Sequence, residues 1–77
     1  LQPANMEALD GMARVFWSMN RRDEALDRWR QALNAVSNPA QLRVLTGELA
    51  ARQQLGALRT ELERAIERHL RSYGSFQ

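Results

Sequence analysis

The chain has 77 residues, which limits it to one small domain with a marginal hydrophobic core. It has no cysteine, and this excludes a disulfide scaffold, a cysteine nucleophile and a zinc site made of thiolates. Eleven arginines, no lysine and nine acidic residues give a net charge of +2, which is too small to require nucleic acid as a partner. No apolar run approaches the ~20 residues that span a bilayer, so we expect no membrane insertion.

The apolar residues favour helices over strands. They are mainly 11 alanines and 11 leucines, with three valines and one isoleucine, and unbranched side chains lose less entropy in a helix. The first predicted helix runs from about Ala4 to Met19, and Asn20 after it tolerates the left-handed conformation that often ends helices. The second runs from about Asp23 to Val36, with acidic residues in its first turn, where they complement the helix dipole.

A polar break separates the second and third predicted helices. Asn38 is the expected N-cap, Pro39 fits the first helical position, and Gln41 stands where a capping box requires it. The third helix is expected to end near Gln53.

The start of the fourth predicted helix has two interpretations. Gly56 either lies in its first turn, or ends the third helix so that Thr60 and Glu63 cap the fourth, which then ends near Ser72. Each of the four helices also carries an acidic residue four positions before an arginine, a spacing that stabilises a helix by roughly 0.2–0.5 kcal/mol. These pairs are Asp10–Arg14, Glu24–Arg28, Glu48–Arg52 and Glu67–Arg71.

The apolar pattern occurs twice. A shift of 33 residues places the large and small apolar residues of the first half on those of the second. In the first helix of each half, Leu9, Met12, Ala13 and Phe16 fall on Leu42, Leu45, Thr46 and Leu49. In the second helix of each half, Ala25, Trp29, Ala32 and Leu33 fall on Leu58, Leu62, Ala65 and Ile66. The residues expected to pack the hairpins internally and against each other are Leu9, Met12, Ala13, Phe16, Ala25, Trp29, Ala32, Leu42, Leu45, Leu49, Leu58, Leu62 and Ala65.

This pattern resembles the tetratricopeptide repeat (TPR), whose signature is W-x2-L-G-x2-Y, then A-x3-F, then a late proline. The first copy matches every residue class of the signature, whereas the second is degenerate, with Leu58 in place of the family's small residue. Asn20 and Gln53 replace the family's turn glycine, and Pro39 comes about two residues later than the family's proline. The resemblance covers roughly residues 6 to 70.

The resemblance implies an all-α fold of two stacked antiparallel helical hairpins, with four helices in a right-handed TPR-like solenoid. The chain would be a single domain over residues 1–77. Residues 6–38 would form the first hairpin and 39–72 the second, degenerate one, and 73–77 a tail or the start of a further element. Because the chain begins with Leu1 rather than methionine, we expect it to be a segment of a longer protein, with an apolar edge left open.

The family's general function is to bind peptides or helices along a concave groove lined by the first helix of each hairpin. The resemblance places Trp17 opposite Gly47 and Ala50, where it is either a binding residue of the hot-spot kind or packs over these small residues itself. The family's basic carboxylate clamp is not matched at Asp10 and Arg14, which disfavours chaperone tails as ligands. The expected groove residues are Asp10, Arg14, Trp17, Arg21, Arg43, Gly47, Ala50 and Gln54.

No residue pattern points to catalysis, a cofactor or a metal, since His69 is the only histidine and no glycine-rich phosphate loop is present. We therefore expect a non-catalytic protein–protein interaction module. The alternative is a structural spacer or self-assembly unit, associating through open repeat ends, in a larger bacterial scaffold such as those of secretion or exopolysaccharide export. Nucleic-acid binding is less favoured, because acidic residues intervene between the arginines. The compartment stays open between the cytoplasm and a bacterial periplasm.

Overall fold

The computed structural model describes the backbone of residues 5–74 and the side chains of residues 5–69. Four helices account for the regular structure in that part of the chain, and it contains no strand. They are α1 (Met6–Ser18), α2 (Arg22–Asn34), α3 (Pro39–Ala51) and α4 (Arg59–Gly74). The prediction of an all-α chain with four helices is confirmed. The expected start of the first helix at Ala4 lies outside the described residues.

The first helices of the two halves begin in the same way. The side chain of Asn5 accepts a hydrogen bond from the backbone N–H of Ala8 at 3.0 Å, and that of Asn38 accepts one from Gln41 at 2.9 Å. Both caps satisfy an N–H that has no partner within its helix. The predicted cap at Asn38 is confirmed, but the Gln41 side chain accepts from the backbone N–H of Ser37 rather than completing the box at Asn38.

The same two helices also end alike, at positions 33 residues apart. Asn20 and Gln53 both have left-handed backbone conformations, with φ of 62° and 59°. The next residue in each case closes the helix end, because the N–H of Arg21 donates to the Phe16 carbonyl and the N–H of Gln54 to the Leu49 carbonyl. This is the Schellman arrangement, usually built on glycine. The bounds of α1 and α3 therefore coincide under the 33-residue shift.

The bounds of the second helices of the two halves, α2 and α4, do not coincide under the 33-residue shift. Residue 55 corresponds to the start of α2, but residues 55–58 form turns and α4 begins at Arg59. Both interpretations of this start need correction: Gly56 lies in the turn before the helix, and Thr60 is inside the helix rather than at its cap. The helix continues to Gly74, beyond the expected end at Ser72, and residues 75–77 lie outside the described residues.

The two hairpins differ in how closely their helices approach. In the first, Ala13 and Ala25 are both fully buried, and α1 and α2 are in contact along most of their length. In the second, α3 and α4 meet over a short stretch. The larger Leu58 is buried at the position corresponding to Ala25, in the turn before α4.

One hydrophobic cluster joins the hairpins. All the residues expected to pack the repeats lie in it or against it except Met12, whose side chain is 44% exposed. The expectation for Met12 is wrong because no described element covers that side of α1. The fully or mostly buried members are Met6, Leu9, Ala13, Ala25, Trp29, Ala32, Leu33, Val36, Leu45, Leu49, Leu58 and Ala65. Phe16, Leu42 and Leu62 are partly buried against them.

Two of the predicted helix ion pairs form, those of Asp10 with Arg14 and of Glu48 with Arg52. The expected pair of Glu24 with Arg28 is wrong. Glu24 instead binds Arg21, and Arg28 binds the neighbouring Asp27 at 2.8 Å. The pair involving Arg71 lies outside the described side chains.

Replacing Gln53 with glycine should raise the free energy of unfolding by up to about 1 kcal/mol, because glycine adopts a positive φ without steric cost. Asn20→Gly should gain less, since asparagine tolerates this conformation better than glutamine. Chemical denaturation monitored by circular dichroism would measure both. The matched control is Gln31→Gly in the middle of α2, which should lose about 1 kcal/mol. A loss of stability in Gln53→Gly would contradict the left-handed backbone conformation of Gln53.

Candidate interaction groove between α1 and α3

A buried hydrogen bond ties α1 to α2. The indole N–H of Trp29, on α2, donates to the Oδ1 atom of Asp10, on α1, at 2.8 Å. Trp29 is fully buried and Asp10 is 5% exposed. A buried indole N–H needs an acceptor, and a buried carboxylate needs a partner of opposite charge. Arg14 meets the second requirement, with its Nε atom 3.4 Å from Asp10 Oδ2.

From Asp10 the polar contacts continue across to α3. The Nε atom of Arg14 lies 3.8 Å from Glu48 Oε2, and Glu48 Oε1 is 2.7 Å from the Nη1 atom of Arg52. The Arg52 guanidinium stacks over two indole rings, at 5.1 Å from the centroid of Trp29 and 5.8 Å from that of Trp17. We call these six residues the groove network: Asp10, Arg14, Trp17, Trp29, Glu48 and Arg52. It runs without interruption from α1, over the core tryptophan, to the end of α3.

Trp17 is half-buried at the edge of this network. The centroid of its ring lies 5.9 Å from that of Trp29, and the two ring planes are tilted by 56°. The Arg22 guanidinium lies over the Trp17 ring, 4.7 Å from its centroid. Two arginines therefore flank an indole that keeps part of its surface in solvent. A Cβ added to Gly47 would meet no atom within 4 Å. Trp17 rests on Trp29, and the space at the Cβ position of Gly47 is open.

The remaining predicted groove residues are not part of the network. Arg21 is directed elsewhere, with Nη2 at 2.7 Å from Glu24 Oε2 and its guanidinium 5.1 Å from the Phe16 ring. Arg43 is exposed beside a separate surface hollow of about 260 Å³. Ala50 is exposed, and the half-buried side chain of Gln54 donates to the Arg52 carbonyl. The structure thus gathers Asp10, Arg14 and Trp17 but not Arg21 or Arg43.

Sequence reasoning missed two groove residues, Glu48 and Arg52, which it treated only as a helix-stabilising pair. Their spacing of four residues at the end of α3 was visible, but the side of the molecule that they face depends on how α3 lies against α1. The Nε atom of Arg52 is buried and has no hydrogen-bond partner among the described residues. Arg52 therefore retains one unused donor next to the two tryptophans.

Within the described residues, no group of histidine, cysteine, aspartate and glutamate side chains has the arrangement of a metal site. In the same part of the chain, none of the helices has the length and apolarity needed to cross a membrane. Comparison of the chain with protein-family models, with curated proteins and with solved structures finds no match.

Replacing Asp10 with alanine should lower the free energy of unfolding by about 1–3 kcal/mol, because the Trp29 N–H is then buried without an acceptor. Asp10→Asn should lose less, since the amide oxygen still accepts this hydrogen bond. Urea denaturation would measure both variants. Glu7→Ala, at an exposed acidic residue of α1, is the control and should change stability by less than about 0.5 kcal/mol. Equal losses for Asp10→Ala and Glu7→Ala would contradict the role of the hydrogen bond.

Proposed function

We propose that the chain is a non-catalytic protein-interaction module that binds a segment of a partner protein across α1 and α3, beside Trp17. The observation that carries the proposal is the groove network, which presents an indole between arginines at the surface. Tryptophan and arginine are the residue types that contribute most to protein interfaces. The open surface at Gly47 leaves room on α3 for a partner next to Trp17.

The exposure of the network indicates which chemistry the partner supplies. The acidic side chains are covered, since Asp10 is buried and Glu48 is largely so, whereas the Arg14 side chain is 54% exposed. Solvent therefore meets guanidinium and indole surfaces. A segment with a carboxylate or backbone carbonyl for Arg14 and an apolar side chain for Trp17 would complement them. We propose an acidic–apolar peptide as the ligand class.

The TPR-like, right-handed arrangement of the two hairpins is part of the same proposal. Three correspondences support it: the bounds of α1 and α3, their asparagine caps, and their left-handed ends all coincide under one 33-residue shift. In such an arrangement the first helices of successive hairpins share one binding surface. The later start of α4 is a departure in the second helix of the second hairpin and leaves that surface unchanged.

Nucleic-acid binding receives less support from the side chains. It needs several cations on one surface with no acidic partner, so that phosphates can replace counterions. Many of the described arginines are instead paired with acids of the chain itself. Examples are Arg21–Glu24, Arg28–Asp27, Arg30–Glu61 and Arg59–Glu63.

Peptides selected from a random library by the folded chain should be enriched in an acidic residue close to an apolar one. Their affinity should fall at least about tenfold, or about 1.4 kcal/mol, for Trp17→Ala and for Gly47→Phe, which would fill the open surface. Fluorescence anisotropy of labelled peptides would measure the change.

Gly56→Phe is the matched control for the groove variant. Gly56 also has open space at its Cβ position and no positive φ, but it lies in the turn before α4. Its peptide affinity should equal that of the wild type. Peptides that bind Trp17→Ala and Gly47→Phe as tightly as the wild type would place the binding site elsewhere and overturn the proposal.

A further inference from the structure

The interface between the two hairpins contains large apolar residues from both sides. Leu33 on α2 and Leu45 on α3 are fully buried in the common hydrophobic cluster, and α2 and α3 pack against each other. Each of these residues has a counterpart 33 positions away in the other hairpin. The counterpart of Leu45 is Met12 on α1, and that of Leu33 is Ile66 on α4.

Both counterparts are exposed, on two helices that make little or no contact with each other. Met12 is 44% exposed and Ile66 is 40% exposed, since no described element covers either of them. Met12 lies in the α1 end face, an apolar surface around a hollow of about 250 Å³, lined by Ala8, Gly11, Met12, Val15 and Phe16. Ile66 lies in the α4 end face, around a hollow of about 410 Å³ lined by Thr60, Glu63, Arg64, Ile66 and Glu67. The α1 end face therefore corresponds to the α3 side of the internal interface, and the α4 end face corresponds to its α2 side. Neither end face is covered by a described element.

We propose that a second copy of the chain covers each end, with the α4 end face of one copy docked on the α1 end face of the next. The arrangement is continuous with the internal interface, because α4 then takes the place on α1 that α2 takes on α3. Ile66 of one copy then packs near Met12 of the next. Their counterparts, Leu33 and Leu45, lie in the same buried cluster within one chain.

The charges around the two end faces are complementary in this register. Within the chain, Arg30 on α2 pairs with Glu61 on α4, with Nε and Oε2 3.5 Å apart. The 33-residue shift converts this pair into Glu63 of one copy and Arg28 of the next, which within one chain are paired with Arg59 and Asp27 and would have to exchange or share these partners. The acidic residue is now on the α4 side that replaces Arg30, and the basic residue is on the α2 side that replaces Glu61, so the two charges still attract each other. The other pair between hairpins, Arg14 with Glu48, becomes Gly47 with Val15, which introduces no like charges.

Contacts between two different faces leave one of each face free in a pair, so the assembly does not stop at a dimer unless it closes into a ring. Sedimentation equilibrium of the whole chain should therefore show a weight-average mass that rises with concentration beyond that of two copies. Met12→Glu and Ile66→Glu should each reduce the association constant at least tenfold. Both changes are at exposed positions, and circular dichroism would verify that the variants remain folded.

A mixture of the two variants separates this arrangement from a symmetric one. Met12→Glu keeps its α4 end face and Ile66→Glu keeps its α1 end face, so the mixture should form a one-to-one dimer and nothing larger. Val44→Glu, at an exposed apolar residue outside both end faces, is the matched control and should associate like the wild type.

Three results would overturn the proposal. They are a wild-type chain that stays monomeric at about 1 mM, a single variant whose self-association constant falls less than tenfold, and a mixture that forms no dimer. The charge register has its own test. Glu63→Arg should weaken association, and adding Arg28→Glu to the same chain should restore it, whereas continued weak association of the double variant would overturn the register.

Discussion

The hydrogen bond from Trp29 to Asp10 is the interaction on which the rest of the groove depends. Trp29 is the largest fully buried side chain, and its N–H fixes the position of the Asp10 carboxylate. That carboxylate orients Arg14, which reaches Glu48 on α3, and Glu48 orients Arg52 over the two tryptophans. The geometry of the surface between α1 and α3 is therefore set from the core outward. A core residue of the second helix thus positions side chains that the first and third helices expose to solvent.

This coupling has consequences for recognition. Arg52 is hydrogen-bonded to Glu48, and Arg14 lies within ion-pair distance of Asp10 and Glu48, so the proposed ligand would meet guanidinium groups that already have acidic partners. It must also compete with Asp10 and Glu48 for them. A single carboxylate gains little from such an exchange, whereas a segment that also covers Trp17 gains the burial of an indole. In the proposed function, selectivity for acidic–apolar segments over merely acidic ones would follow from this internal pairing.

Local chemistry made part of the fold predictable. The Asn38 cap and the left-handed Asn20 depend only on neighbouring residues, and both were expected from the sequence. The start of α4 was not, because Leu55-Gly56-Ala57-Leu58 contains no capping side chain to mark where the helix begins. The groove was only partly predictable for a similar reason. The pair of Glu48 with Arg52 is a matter of spacing, but its position beside Trp17 depends on the distance between α1 and α3, which no local pattern encodes.

The two ends of the molecule are protected unequally. The internal repeat gives each end one half of an interface, and repeat arrays generally need a polar end to remain soluble. The α4 end face surrounds Ile66 with Glu63, Arg64 and Glu67, whereas the α1 end face is apolar throughout and continues to the exposed Met19. The α1 face therefore supplies most of the hydrophobic driving force for any contact, and the charged α4 face supplies the selectivity. A contact between unlike faces uses both properties, whereas a contact between two α1 faces would have apolar burial without a charge pair to set its register.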